Sequence, residues 1–236
     1  IRPKPMVEVA GKPILWHIMK FYRSHGIREF IICAVYRQEY IKDFFARQHL
    51  HASDVTFDLA SGAVKTHQSE DCAWKVRVIN TGENTQTGGR LKRIREYVGD
   101  EPFCMTYGDG VSDVDVTAEM AAHKKSGALV TLAATYSPPR FGELDIENGK
   151  VTRFMEKLAR SSRRINAGYM VVDPKALDYI DGDSTSWEVE PLQRIAADGK
   201  LNAFEHDGFW QCMDNIRERQ MLEDLWASGK APWKKW

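Results

Sequence analysis

The chain switches between two hydrophobic periods, and each switch marks a change of element. From Pro13 to His25 the apolar positions Ile14, Ile18, Phe21 and Tyr22 recur at helical spacing, with Pro in the first turn and Gly26 past the end. Phe30–Val35 is instead a short continuous apolar run, the pattern of a strand buried on both faces. Gln38–Gln48 returns to helix, with Tyr40, Ile41, Phe44 and Phe45 on one side, and Val76–Ile79 is strand. Leu91, Ile94 and Val98 mark a helix that begins at Thr87-Gly88-Gly89. Phe103–Tyr107 reads as strand and Val114–Lys125 as helix. This βαβα order predicts an α/β sheet with a parallel core.

After residue 127 the pattern shortens. Leu129–Thr135, Glu143–Ile146, Val151–Met155 and Gly168–Val172 are short strands between Gly and Pro signals, and Asn148-Gly149 is a hairpin turn. Helices follow around Pro174–Ile180 and Trp187–Ala197, then strand Leu201–Glu205 and a last helix over Ile216–Ala227. No repeat or low-complexity linker divides the chain. The expected architecture is one domain, 1–236, with a mixed, mainly parallel sheet, helices on both faces and an antiparallel elaboration.

Composition narrows the function. The 236 residues carry 33 basic and 33 acidic side chains, so the net charge is zero, which removes the whole-molecule electrostatic case for nucleic acid or an anionic membrane. A local anion site stays open. The apolar runs are too short to span a bilayer. The four cysteines are far apart and form no Cys-x-x-Cys pair, which points to free thiols in a reducing cytosol rather than disulfides or zinc.

Candidate chemistry sits at strand ends. In Tyr107-Gly108-Asp109-Gly110 an apolar strand runs into a carboxylate flanked by glycines, where open α/β sheets bind ligands. Such a carboxylate suits Mg2+; an ordinary Asp-Gly turn is the alternative. Asp214, just before the last helix, is either a second acidic ligand or that helix's N-cap. Thr87-Gly88-Gly89 offers backbone donors to an anion or a base edge, and Arg90 in the following first turn calls for a compensating anion. Other cations in Arg90–Arg95 read as a solvated face. Pro3 and Pro5 hold Lys4 in extended backbone, as a phosphate contact or a solvated side chain. Glu156-Lys157 can reach one ligand together only where a strand ends.

Taken in order, Pro3-Lys4-Pro5-Met6, Thr87-Gly-Gly-Arg90, Gly108-Asp109-Gly110, Glu156-Lys157 and Met213-Asp214 resemble the sugar-1-phosphate nucleotidylyltransferase family over nearly the whole chain. The resemblance is strongest to its cytidylyl branch, which uses CTP and glucose 1-phosphate. It implies a single Rossmann-like nucleotidyltransferase domain in which Asp109 and Asp214 bind Mg2+. Lys4 and Lys157 would contact phosphates, Glu156 the glucose hydroxyls, and Gly142 and Asn166 the sugar pocket. Thr87, Gly88, Gly89 and Arg90 would hold the cytosine, with Tyr107 and Gly108 beside the nucleotide. It also implies a homo-oligomer, commonly a hexamer, with the aromatic C-terminal tail either in assembly or packed on its own subunit. The family's opening strand and Gly-rich phosphate loop would precede Ile1. The sequence departs from the family at Leu158, where Pro is usual, through residues 158–164, and at Ala167 and Cys212. Two other readings use the same residues: a nucleotide-sugar-dependent glycosyltransferase with Asp113-Val-Asp115 as its metal pair, and a non-catalytic nucleotide-binding regulator.

Overall fold

The computed structural model describes residues 2–69, 74–137, 143–155 and 163–236. A 3-10 turn, Lys4–Met6, leads into β1 (Glu8–Val9) and β2 (Lys12–Pro13), which pair antiparallel and feed α1 (Ile14–Ser24). Next come β3 (Glu29–Ala34), α2 (Gln38–His51), the hairpin β4 (Ser53–Asp58) and β5 (Ala63–Ser69), β6 (Lys75–Asn80), α3 (Thr87–Arg93) and α4 (Arg95–Val98). They are followed by β7 (Phe103–Thr106), β8 (Gly110–Ser112), α5 (Val116–Ser126), β9 (Val130–Tyr136), and the hairpin β10 (Glu143–Glu147) and β11 (Lys150–Met155). The chain closes with β12 (Arg164–Val172), a 3-10 helix (Pro174–Tyr179), α6 (Glu190–Ala197), β13 (Leu201–Glu205), β14 (Trp210–Cys212) and α7 (Ile216–Ala227).

The central sheet has the order β13-β9-β12-β7. β13 runs parallel to β9, whereas β12 runs against both its neighbours, so the sheet is mixed. Its two central strands, β9 and β12, are buried along most of their length, as their apolar runs predict, whereas β7 and β13 at its edges are partly buried or exposed. In β12, Ala167 and Tyr169 pack with α1, β8 and the C-terminal tail, while Met170 and Val172 pack with α3, α6 and the 3-10 helix between them. Burying each such large side chain contributes about 1.5–3 kcal/mol.

Among the described residues, β3 pairs in parallel with β6 alone and β7 with β12 alone. Consecutive residues of β3 (Glu29–Cys33) and of β7 (Phe103–Thr106) line one cavity of about 560 Å3. Neighbours in a strand point to opposite faces, so a cavity touching all of them runs along the strand edges. Two open edges therefore face each other across an apolar trough.

Several elements differ from expectation for identifiable reasons. Lys4 lies in a 3-10 turn rather than extended backbone, because Met6 and Val7 donate to the carbonyls of Pro3 and Lys4. The helix expected from Val114 starts at Val116, where Asp115 accepts from the Ala118 N–H as N-cap, and β8 takes the preceding residues. The helix expected from Trp187 starts at Glu190, because Trp187 is fully buried as a loop anchor. The hairpin β4–β5 was not signalled: it is exposed along most of its length and has no buried face to impose a period. The tail packs on its own domain, with Trp233 buried and stacked on Phe209 at 5.6 Å. No helix among the described residues is long and apolar enough to cross a membrane.

Candidate active site

Pairing of β8 with β14 assembles the acidic pair. Their register sets Gly110 opposite Cys212, which brings Asp109 beside Met213; the Met213 N–H donates to the Asp109 carbonyl at 2.8 Å. Asp214 follows directly. The N-cap of α7 is its neighbour Asn215, whose Oδ1 accepts from the Glu218 N–H at 3.0 Å. Glu218 in turn accepts from the Asp214 N–H at 2.6 Å, a variant of the capping box. The cap thus falls to Asn215, and the Asp214 carboxylate turns toward Asp109.

Lys4 joins them. Its Nζ donates to Asp109 Oδ2 at 2.7 Å and to Asp214 Oδ1 at 2.5 Å. Burial pulls the Lys4 ammonium down, but hydrogen bonds and charge from Asp109 and Asp214 outweigh it and leave its pKa raised. Gly108 lets the Lys4 turn close on the site, since a Cβ there would stand 3.0 Å from Pro5 Cγ. That use of its bare backbone differs from the expected close approach of a nucleotide. One ammonium satisfying both carboxylates shows that a single cation can bridge them, and an all-oxygen pair suits Mg2+. Cys212 and Glu218 also lie near Asp214, but Glu218 is committed to the helix cap.

A second cluster lies on the same trough. Tyr107 rests on Gly168, whose φ of +73° and missing Cβ make room for the ring. Asn166 Oδ1 accepts from the Gly168 N–H at 2.8 Å, and the Asn166 side chain also hydrogen-bonds Tyr107. The Tyr107 hydroxyl donates to Glu188 Oε1 at 2.5 Å. Thr87 Oγ1 and Ser186 Oγ donate to Glu188 Oε2 at 2.6 and 2.9 Å. Burial pushes the Tyr107 phenol far above its ordinary range, and the Glu188 carboxylate adds to that. Burial alone would raise Glu188, yet the donors Thr87, Tyr107 and Ser186 prevail and hold it below the usual range, ionised. Sequence reasoning missed Glu188, which lies in a stretch read as helix; the polar run Ser184-Thr185-Ser186 was the one loop signal.

Other expected roles change. The N–H groups of Gly88 and Gly89 both donate to the Thr185 carbonyl, so in this conformation they are not directed at a ligand. A Cβ on Gly88 would lie 2.7 Å from that oxygen, and one on Gly89 would run into the Asp183 carbonyl; the glycines admit the 183–185 loop. Arg90 borders the trough, and its Nε donates to the Thr85 carbonyl at 3.2 Å. Lys92 and Arg93 are latches rather than a solvated face: Lys92 Nζ reaches the Ile180 and Asp181 carbonyls, and Arg93 makes a two-pronged pair with Asp183. Asp113 accepts from the Phe209 N–H and pairs with His206, while Asp115 caps α5. Those commitments remove the support for an Asp113–Asp115 metal pair. Gly142, Glu156 and Lys157 lie outside the described residues.

A mixed α/β fold that gathers two carboxylates after β7 and β14 around a lysine suits phosphate and metal chemistry. The chain belongs to the nucleotidyl transferase family, whose model matches residues 1–213. Glucose-1-phosphate cytidylyltransferase of Salmonella typhi is 52% identical over 237 residues, covering 100% of this chain and 92% of that protein. A probable glucose-1-phosphate cytidylyltransferase of Bacillus subtilis is 37% identical, covering 99% and 92%. Among solved structures, HddC from Yersinia pseudotuberculosis superimposes with a TM-score of 0.70 at 21% identity, covering 95% of this chain and 90% of that one. UDP-glucose pyrophosphorylase complexed with UDP-glucose gives 0.66 at 12% identity, covering 96% and 91%. Both share the Rossmann-like nucleotidyltransferase fold.

Proposed function

We propose that this protein transfers the cytidylyl group of CTP to α-D-glucose 1-phosphate, giving CDP-glucose and pyrophosphate. The observation that carries the chemistry is the Lys4 ammonium held between Asp109 and Asp214 at the end of β7. The substrates come from the full-length likeness to cytidylyltransferases.

The mechanism follows from charge. A sugar 1-phosphate has a second pKa of about 6, so it is already an oxyanion at neutral pH and needs no general base. The barrier lies in bringing two anions together and in spreading charge over the α-phosphate and the departing pyrophosphate. Asp109 and Asp214 would hold Mg2+, which when bound supplies Lewis-acid neutralisation of the phosphates. Lys4 can exchange its carboxylate contacts for phosphate oxygens as substrate arrives, and Lys157 would supply a second ammonium. Thr87, Arg90 and Tyr107 line the trough where the nucleotide would lie; by resemblance, the segment around Gly88 and Gly89 would face the cytosine, and Asn166, Gly142 and Glu156 would face the sugar. These groups orient the glucose 1-phosphate oxygen for in-line attack on the α-phosphorus, and the O–P bond to pyrophosphate breaks without an enzyme-bound covalent intermediate.

The domain reading belongs to the same proposal. In this reading residues 1–236 form one nucleotidyltransferase domain. A cytoplasmic homo-oligomer, a hexamer by resemblance, completes it. Asp109→Ala and Asp214→Ala test the site. Each is expected to cut metal-dependent pyrophosphate release by more than about 10³-fold with circular dichroism unchanged; wild-type turnover in either variant would sink the assignment.

A further inference from the structure

We propose that Glu188 is a positioning residue for nucleotide binding, acting through the hydroxyls of Tyr107 and Thr87. The inference rests on the CTP reading above and assigns part of its geometry to a residue outside the expected site.

Three hydroxyls converge on this one carboxylate, from Tyr107, Thr87 and Ser186. An ionised carboxylate only accepts, so each hydroxyl commits its single hydrogen to Glu188. The hydroxyl oxygens of Tyr107 and Thr87 are thereby left as acceptors toward everything else. Thr87 Oγ1 already receives the Trp187 N–H at 2.9 Å. Both residues border the trough, as do Pro5 and Gly108, the chain neighbours of Lys4 and Asp109. A rotation of the Tyr107 ring or the Thr87 side chain would therefore alter the wall that the nucleotide meets.

The carboxylate is itself held rigidly. Trp187, fully buried, donates its indole N–H to Met170 Sδ at 3.4 Å and fixes the loop directly before Glu188. A purely structural tie between this loop and α3 does not need Glu188. The Thr185 carbonyl already takes the Gly88 and Gly89 N–H groups, and Arg93 already pairs with Asp183. What Glu188 adds is the link to Tyr107, two residues ahead of Asp109. Half-burying a charge to make that link is costly unless the positions it fixes matter.

The test uses the full natural protein with CTP, Mg2+ and glucose 1-phosphate, comparing wild type, Glu188→Gln, Tyr107→Phe and the double variant. Glutamine keeps the shape but replaces an acceptor with an N–H donor, so at least one hydroxyl loses its acceptor and must redirect its hydrogen. Glu188→Gln is expected to raise the KM for CTP and its calorimetric Kd about tenfold or more. The KM for glucose 1-phosphate should stay within about twofold and the Tm within about 3 °C. Because Glu188 acts through Tyr107, the double variant should be little worse than the worse single variant. The proposal is overturned if CTP binding is unchanged in Glu188→Gln. It is equally overturned if Tm, kcat and both KM values fall or rise together, or if the two substitutions multiply independently. A wild type that turns over no CTP defeats the functional reading itself and this inference with it; an active wild type with an unaffected Glu188→Gln defeats this inference alone.

Discussion

Asp214 and Asn215 are adjacent, and which of them caps α7 decides whether Asp109 has an acidic partner. Both residue types cap helices well, so the sequence leaves the choice open. The structure gives the cap to Asn215, and the reciprocal bond from the Asp214 N–H to Glu218 fixes the backbone that aims the Asp214 carboxylate at Lys4. Asn215→Ala should cost about 1 kcal/mol in chemical denaturation. It should also reduce turnover, because the backbone bearing Asp214 is loosened; a stability loss with full kcat would separate the cap from the site. Asp109 stood out in the sequence by its place between glycines at a strand end, although an ordinary Asp-Gly turn fitted the same residues as well; the structure adds its link through Lys4 to Asp214. Glu188 did not stand out, because a carboxylate in an irregular loop carries no periodic signal, and its importance lies in two partners distant in sequence, Thr87 and Tyr107.

At the scale of elements, the glycines of α3 were legible as glycines but not for their purpose. They accommodate the 183–185 loop, so Gly89→Ala forces its new methyl against the Asp183 carbonyl. A loss of about 2–3 kcal/mol is expected, with a larger KM for CTP as the Thr87 end shifts; a neutral effect in thermal melts would contradict this packing. Helix α5 carries a different conflict. Glu119 is 2% exposed and its Oε1 has no hydrogen-bond partner among the described residues, and burial pushes its carboxyl up to about 8. Below the unfolded value, near 4.5, both states hold the proton and no penalty arises. Between there and about 8 the unfolded chain releases the proton while the folded chain keeps it, so stability falls as pH rises through that window. Glu119→Gln should remove the slope, gaining about 1–3 kcal/mol at pH 8 and nothing at pH 4.5. Parallel pH–stability curves for the two proteins would refute it. The strands were read well where continuous apolar runs are buried or partly buried, as in β3, β7 and β9. The β4–β5 hairpin was missed because solvent on both sides imposes no alternation.

The whole molecule joins these elements through its last residues as much as through its sheet. Trp233 is buried between His17, Trp226 and Phe209, which ties the tail to α1, to α7 and to the loop that enters β14. Trp233→Ala should cost about 3–5 kcal/mol in equilibrium unfolding, whereas a tail that served assembly alone would leave monomer stability unchanged. A neutral net charge likewise masks a polarised site at the surface, in which Lys4 is balanced locally by the two carboxylates that would hold the metal. Fold class and the order of elements were readable from periodicity, but the choice of substrate was not: it rests on likeness to relatives, and chemistry must test it. The most direct measurement is pyrophosphate release by the full natural protein given glucose 1-phosphate, Mg2+ and each of the four nucleoside triphosphates, with no other acceptor. Release with CTP at equimolar CDP-glucose is the predicted result, and no release with CTP under these conditions would contradict the assignment.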